Sequence, residues 1–445
     1  MKIDLPLSVK DILNKFEKSG FEIYIVGGAV RDILMGRATN DWDFTTSVIP
    51  EKILEIVPGG LYNNEFGTVF TPNPDDKDRP HEITTFRKEE GYEDFRHPNK
   101  ITWGKSLEED LSRRDFTINA LALDSNLKLI DLYKGTDDIK NKIIRAVRDP
   151  NERFSEDALR MMRAIRIAAE LGFTIEEKTL EAIKKNVTLI GKIAKERVKE
   201  ELFKLLKSPY SYEGVLLLRS SNILQEIIPE FEKCFGVEQK SPGRHHIYDV
   251  GEHLLMSLKF CKAEDPLVRF ATLIHDIGKP QTYKKLDSGT ITFYNHEMVS
   301  TKIAENLAER LKFSNKEKEK LIILVRWHQF TVDERQTDSA IRRFIKNVGI
   351  ENISDMLALR TGDRLGGGAR ETSWRLEEFK RRLLEVQKQP FSIRDLKVDG
   401  NDVMKVLKIK PGPKVGNILE KLFEKVISKE IPNEKDKLLN KLKTF

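Results

Sequence analysis

Near residue 130 the apolar periodicity of this chain switches once, and that switch restricts its architecture more than any bulk property. Before it, short β-branched or aromatic runs ("FEIYIVGG", "WDFTTSV", "GTVFTPN", "HEITTF", "ALALDSNLKLIDLY") alternate with short helical patterns and Gly, Pro and Asn punctuation, as in a small mixed sheet with helices. From "SEDALRMMRAIRIAAELGF" through "KTLEAIKKNVTLI" and "EGVLLLRSSNILQEIIPEFEK" to "VGNILEKLFEKVI" nearly every segment carries the 3.6-residue period of a helix packed on a core. The expected fold is an α+β head with a small mixed sheet, followed by a long all-α region. A chain of 445 residues exceeds what one core serves. The expected division is a head over 1–140, a helical neck and body over 141–235, a histidine-rich helical domain over 245–370 and a helical tail over 371–445, with "EQKSPGRHHIYD" and "RLGGGARETS" marking joints.

Within the head, "DWDF" poses an electrostatic problem. Residues two apart on a strand point to one face, so Asp41 and Asp43 hold their carboxylates side by side. Two like charges that close need a cation, and paired hard oxygen ligands suit Mg²⁺, which completes its shell with water and substrate phosphates. Alone, an acidic pair around an aromatic is ordinary solvated surface; here it follows "GGAVRD". Gly27 and Gly28 carry no Cβ to keep phosphate oxygens from the backbone amides, and Arg31 and Asp32 open the helix behind them. Such a turn also serves as plain punctuation. Glu82, in "HEITTF", is either a third carboxylate of the set or an outward-facing strand residue.

Two further clusters suit nucleotide binding. In "SRRDFTINALAL", Arg113 and Arg114 offer guanidinium forks that match triphosphate oxygens, and Asp115 can accept from a ribose hydroxyl. In "SEDALRMMRAIRIAAELGF", Asp157 and Arg160 lie three apart on a predicted helix and share a face, joined by Arg163, while Leu159, Met162 and Ile165 serve the core. Either the first two form an intrahelical ion pair, or their acceptor and donors stand in one plane as a template for a nucleobase edge.

A second constellation lies downstream, where six of the eight histidines fall between residues 245 and 328. "DVGEHLL", "LIHDIGKP", "YNHEMVS" and "VRWHQF" place His253, His275, Asp276, His296 and His328 on successive predicted helices, and "RTGDRLGG" adds Asp363. Any one of these is ordinarily a core histidine, but so dense a grouping is poorly explained by packing. Mixed imidazole and carboxylate donors suit Mn²⁺, Ni²⁺ or Mg²⁺ over a closed structural zinc. The order resembles the HD superfamily of metal-dependent phosphohydrolases, which implies water attack on a phosphate ester at phosphorylated or cyclised nucleotide ends. His245 and His246, just upstream, read as an entry loop, substrate contacts or surface.

Other classes fall away. Cys234 and Cys261 are the only cysteines, so there is neither a disulfide framework nor a thiolate metal site. No stretch approaches the roughly 20 apolar residues of a membrane span, and the expectation is a cytoplasmic protein with no membrane partner. The net charge of +6 is modest, but "KKNVTLIGKIAKERVKEELFKLLK" and "KEIPNEKDKLLNKLKTF" concentrate lysine on helices, which suits a polyanion and equally an ordinary solvated face.

Taken in order, "GGAVRD", "DWDFTT", "EITTFR", "EEDLSRRDFTINALA", "DLYKGTDDIKNKIIRAV" and "EDALRMMRAIRIAAELGF" make residues 20 to about 240 resemble the class II tRNA nucleotidyltransferases, the CCA-adding enzymes and their poly(A) polymerase relatives. The resemblance implies a nucleotidyltransferase head and helical regions that hold tRNA. By it Asp41 and Asp43 bind catalytic Mg²⁺, Gly27, Gly28 and Arg31 the triphosphate, Arg114 and Asp115 phosphate and ribose, and Asp157 and Arg160 the base of ATP or CTP. The charged and aromatic stretch "RKEEGYEDFRHPNKITWGKSLEED" resembles the flexible loop of members that add the terminal A, which argues against CC-only addition. Full CCA addition is the first expectation, A-only addition the second and a poly(A) polymerase the third. A different class, an HD phosphohydrolase with a nucleotide-binding front domain, stays open. In the tail, "KIKPGPKVG" is either a helix-hairpin turn facing an RNA phosphate or an ordinary loop.

Overall fold

The computed structural model describes residues 5–62, 67–76, 78–92, 98–104, 106–239, 247–330, 337–387, 393–428 and 430–445, with backbone only for 88–92 and 98–102. His245, His246 and the centre of the 87–110 stretch lie outside the described residues. In the head, β1 (Ile23–Val26), β2 (Asp43–Thr46), β3 (Thr68–Thr71), β4 (His81–Thr85), β7 (Leu121–Leu123) and β8 (Leu129–Asp131) form one sheet in the order β3-β4-β2-β1-β7-β8, and β5 (Arg87–Tyr92) with β6 (Pro98–Trp103) forms a separate hairpin. That hairpin and the helix Leu107–Ser112 occupy much of the stretch expected to be a loop.

Strand β2 is the hinge of the site. It runs antiparallel to β1 and parallel to β4, so that Val26 pairs with Asp43 and Asp43 with Glu82. The period-two expectation holds: Trp42 and Phe44 are buried in the head core, while Asp41 is exposed and Asp43 half-buried on the other face. The Phe44, Ile83 and Ile25 side chains beneath fix the height at which the acids stand.

Beyond residue 142 the regular structure of the described residues is helical apart from two short strand pairs, Ile143–Ile144 with Thr174–Ile175 and Lys284–Lys285 with Ile291–Thr292. The neck helix Leu159–Leu171 buries Leu159, Met162 and Ile165, as its periodicity requires. One apolar core then runs without interruption from Phe116 through the neck and the histidine-bearing helices to Val386. In packing terms neck, body and histidine region are one unit, while the head (Leu5 to Leu123) and the tail (Leu396 to Leu442) have cores of their own. In the tail, the helices Gly400–Leu407 and Pro413–Ile427 flank the "KIKPG" turn. Among the described residues no helix is long and apolar enough to cross a membrane.

Candidate functional site

The head site begins at a turn only glycine takes easily. Gly27 has φ +75°, and a Cβ there would stand 3.0 Å from Arg114 Nη1 and 3.5 Å from Asp43 Oδ2. The glycine turn, the arginine and the first acid therefore converge on one point. Burial, followed by the charge of Asp41, pushes Asp43 up to about 6 against the pull of Arg114 and Arg163. Burial, then Asp43 and Asp41, pushes Glu82 up to about 7. Glu82 is exposed and faces away from the head core, as one of its two readings had it, and its carboxylate also lies in the field of the pair. Sets of three ligand atoms within 4.8 Å of one another occur, among the described residues, only in the histidine cluster, so the head acids form a looser set.

Behind the acids runs a polar chain that joins head to neck. Arg31 donates to Asp32 and, at 2.8 Å, to Asn119 Oδ1; Asn119 Nδ2 donates to Asp115 at 3.1 Å; Arg163 donates to Asp115 from Nε at 2.9 Å and Nη2 at 2.6 Å. Asp115 also accepts the Phe116 amide. Despite its burial, Arg163 and these donors hold Asp115 well below the usual carboxylate range, and Asp115 in turn raises Arg163. The expectation of Asp115 as a free ribose acceptor is thus modified: its oxygens are engaged, and it positions the arginines. Asp110, fully buried, accepts from Arg113 and from Arg114 Nη2, while Arg114 Nε is buried with no hydrogen-bond partner.

The shared helix face expected of Asp157 and Arg160 is not formed. The helix Pro150–Glu156 ends at Asp157, in extended backbone, and the next begins at Leu159. Asp157 Oδ1 accepts the Leu159 amide at 3.0 Å, a local bond of the kind by which Asp interrupts helices. The Arg160 guanidinium turns instead to Glu156 at 2.7 Å and to the carbonyls of Arg153 and Arg113, both at 3.1 Å.

The histidine cluster closes as expected. His253, His275, Asp276, His296 and His328 are all buried, and Asp363 joins them from the helix Ile353–Gly366. The Nδ1–H groups of His275, His296 and His328 donate to the carbonyls of Thr272, Phe293 and Val325 at 2.7, 2.8 and 2.7 Å. That assignment turns each Nε2 inward. Nε2 of His296 and of His328 lie 3.0 and 3.3 Å from Asp276 Oδ1, and Nε2 of His253 lies 3.2 Å from Asp363 Oδ1 and 3.3 Å from Nε2 of His275. Without protons these would be acceptors facing acceptors, an arrangement that fits a cation; with none bound, a proton takes its place. Burial opposes charge on His275, but Asp276 and Asp363 outweigh it and push it up to about 10. Lys279 stands 2.6 Å from Asp276, Arg360 stands 2.8 Å from Asp363, and a cavity of about 530 Å³ opens over them past Gln239 and Tyr294. A larger cavity of about 880 Å³, lined by Phe173, Tyr210 and Leu217, touches neither constellation.

Asp110, Asn119, Glu156, Lys279 and Arg360 escaped the sequence reading. Four of them had a signal in spacing: Asp110 stands three and four before Arg113 and Arg114, Glu156 four before Arg160, Lys279 three after Asp276 and Arg360 three before Asp363. Asn119 lies four after Asp115, but its other partner, Arg31, is 88 positions away and comes only with the fold.

Comparison with known proteins bears on both regions. Residues 23–145 match the family described as "Poly A polymerase head domain", residues 172–235 the "Probable RNA and SrmB- binding site of polymerase A", and residues 290–442 the tRNA nucleotidyltransferase domain 2 family. A CCA-adding enzyme of Lactobacillus helveticus is 45% identical over 229 residues, 51% of this chain and 56% of that protein. A CCA-adding enzyme of Pediococcus pentosaceus is 33% identical over 433 residues, 96% of this chain and 95% of that protein. The crystal structure of the Bacillus stearothermophilus CCA-adding enzyme in complex with CTP superposes with a TM-score of 0.73 at 27% identity, covering 98% of this chain and 96% of that one. With acids, arginines and neck all inside an end-to-end match of this kind, the chain belongs to the CCA-adding enzyme family of tRNA nucleotidyltransferases.

Proposed function

We propose that this chain adds CCA to the 3′ end of tRNA from CTP and ATP without a nucleic acid template. The carrying observation is the register of Asp43 on Glu82 beside Asp41, with two of the three carboxylates held up to about 6 and 7 against the Gly27 turn and Arg114. A set of acids with that much uncompensated charge fits divalent cations such as Mg²⁺, held by Asp41 and Asp43 with Glu82 alongside. The chemistry supplied by two such ions is neutralisation of phosphate charge and activation of the primer hydroxyl. The chain itself binds and orients. The Gly27 and Gly28 turn with Arg31 and Arg114 receives the triphosphate; Asp115, through Arg163 and Asn119, sets the arginines. The tRNA 3′ hydroxyl, held in line, attacks the α-phosphate as pyrophosphate leaves. Asp157 accepts from the exocyclic amine that cytosine and adenine share, and Arg160, fixed by its three acceptors, donates to the ring nitrogen beside it.

The test is incubation with tRNA lacking its CCA end, with CTP, ATP or both. The expected result is CC from CTP alone and CCA from the two together. Extension of only a CC end by ATP selects the A-adding alternative, long A tracts a poly(A) polymerase, and no incorporation refutes the reading.

A second activity is supported by a separate observation, the three imidazoles whose Nδ1 groups are tied to backbone so that Nε2 faces Asp276. The His253, His275, Asp276, His296, His328 and Asp363 set fits Mn²⁺, Ni²⁺ or Mg²⁺, and the chemistry of such an ion is activation of water against a phosphate ester. Hydrolysis of nucleotide 2′,3′-cyclic phosphate that survives Asp43→Asn but not Asp276→Asn is the expected outcome. Absence of hydrolysis with every one of these metals refutes it.

A further inference from the structure

We infer that Arg197 is a positioning residue for nucleotide choice, acting through Asp157; this rests on the reading of Asp157 as a base acceptor. The two oxygens of Asp157 are unequal. Oδ1 is taken by the Leu159 amide at 3.0 Å. Oδ2 faces Arg197 Nη2 at 3.6 Å, close enough for ionic attraction and too long for a hydrogen bond. The attraction holds the carboxylate in place, and the lone pairs of Oδ2 stay open to an incoming N–H donor. Arg197 spends little of its own capacity on anything else: Nη1 is buried with no hydrogen-bond partner.

The helix that carries Arg197 is tied to its neighbours. Arg197 lies in the first turn of the helix Lys195–Lys207, whose Glu201 accepts from Arg166 Nε at 2.6 Å and whose Lys199 pairs with Glu317 at 3.1 Å. The Asp157 side chain is 17% exposed, so a base can reach it. The helix break at Asp157, which overturned the shared helix face, leaves the carboxylate anchored at Oδ1 by the Leu159 amide, and Arg197 is the group that sets the direction of Oδ2.

The consequence is discrimination by the amine. Uracil and guanine present a carbonyl oxygen where cytosine and adenine present the amine, and a fixed carboxylate repels it. A carboxylate free to swing does not. Arg197→Gln is therefore expected to raise UTP incorporation relative to CTP by about tenfold or more, chiefly through the KM for CTP, with kcat changed less. Arg197→Lys, which keeps the charge, restores most of the selectivity. Asp157→Ala is measured alongside: loss of selectivity there with none in Arg197→Gln overturns the positioning role, whereas unchanged selectivity in Asp157→Ala overturns the base-reading assignment beneath it. Equal loss of kcat with all four nucleotides in Arg197→Gln, unrelieved by Arg197→Lys, marks a merely structural arginine and also overturns the inference.

Discussion

Asp115→Asn isolates the joint between head and neck. Asparagine keeps the shape and one oxygen, so the Phe116 amide and Asn119 can still donate to it. The other oxygen becomes an NH₂ that faces Nε and Nη2 of Arg163, formerly 2.9 and 2.6 Å from an acceptor. Two charge-assisted bonds are lost and the guanidinium loses its counter-charge. Breaking one side of a buried pair costs about 3–5 kcal/mol. The Asp115 side chain is only 9% exposed but that of Arg163 is 36%, so water relieves part of the orphaned charge; the lower end, about 3 kcal/mol, is expected. The readout is native-state hydrogen exchange of the Phe116 amide, which reports opening of this joint without requiring two-state unfolding of the whole chain. A cycle with Arg163→Met at pH 7.5 separates the pair from its surroundings. Coupling of about 2 kcal/mol supports the argument, and additivity within about 0.5 kcal/mol refutes it. The sign with pH is fixed as well. Asp115 is depressed in the fold, so its contribution is complete above the unfolded carboxylate value near ~4 and shrinks as pH falls below it. The gap between wild type and Asp115→Asn should be flat from pH 6 to 8 and narrow under acid.

Other outcomes follow from the same geometry. Glu82 is raised to about 7, so without divalent cation it costs stability that grows as pH rises toward that value; Glu82→Gln should gain thermal stability over wild type at pH 8 more than at pH 5, and Mg²⁺ should shrink the gain. Asp110→Asn releases Arg113 and Arg114, and steady-state kinetics should show KM for both nucleotides rising about 10-fold or more, with normal metal affinity. Dialysis against a chelator followed by Mn²⁺ or Ni²⁺ loading should return about one ion or more per chain to the histidine cluster by elemental analysis, and Asp276→Ala should return none there while leaving tRNA extension intact.

What could be read in the sequence was what repeats at short range. Trp42 and Phe44 go in and Asp41 and Asp43 out because a strand alternates by two, a regularity independent of the rest of the chain. Leu159, Met162 and Ile165 line the core for the same kind of reason. The histidine cluster was legible by density, since so scarce a residue gathers for its lone pairs. Where the reading failed, a local competitor won. Asp157 interrupted its helix by bonding the Leu159 amide, a move available to any Asp and invisible to a periodicity count. Asp115 was assigned to substrate because its partner Arg163 lies 48 positions away and arrives only with the tertiary fold. The hairpin of β5 and β6 was hidden by its charged composition, which reads as loop although the two strands have one another for partners.

The two constellations handle negative charge in opposite ways, and the difference lies in what faces each carboxylate. Asp43 and Glu82 face chiefly acid, and the arginines behind them do not reverse the upward shift. Asp276 is buried and Asp363 partly so, yet imidazoles, Lys279 and Arg360 hold them far below the usual range. A pair of the first kind keeps its full charge at neutral pH only when a cation is bound. In a set of the second kind the carboxylates hold a proton on His275 when no ion is bound. Binding of an ion there displaces that proton. Proton release on titration with Mn²⁺, measured by calorimetry in buffers of different ionisation enthalpy, should therefore be abolished by His275→Ala, whereas uptake of Mg²⁺ by the head should be abolished by Asp43→Asn and indifferent to His275.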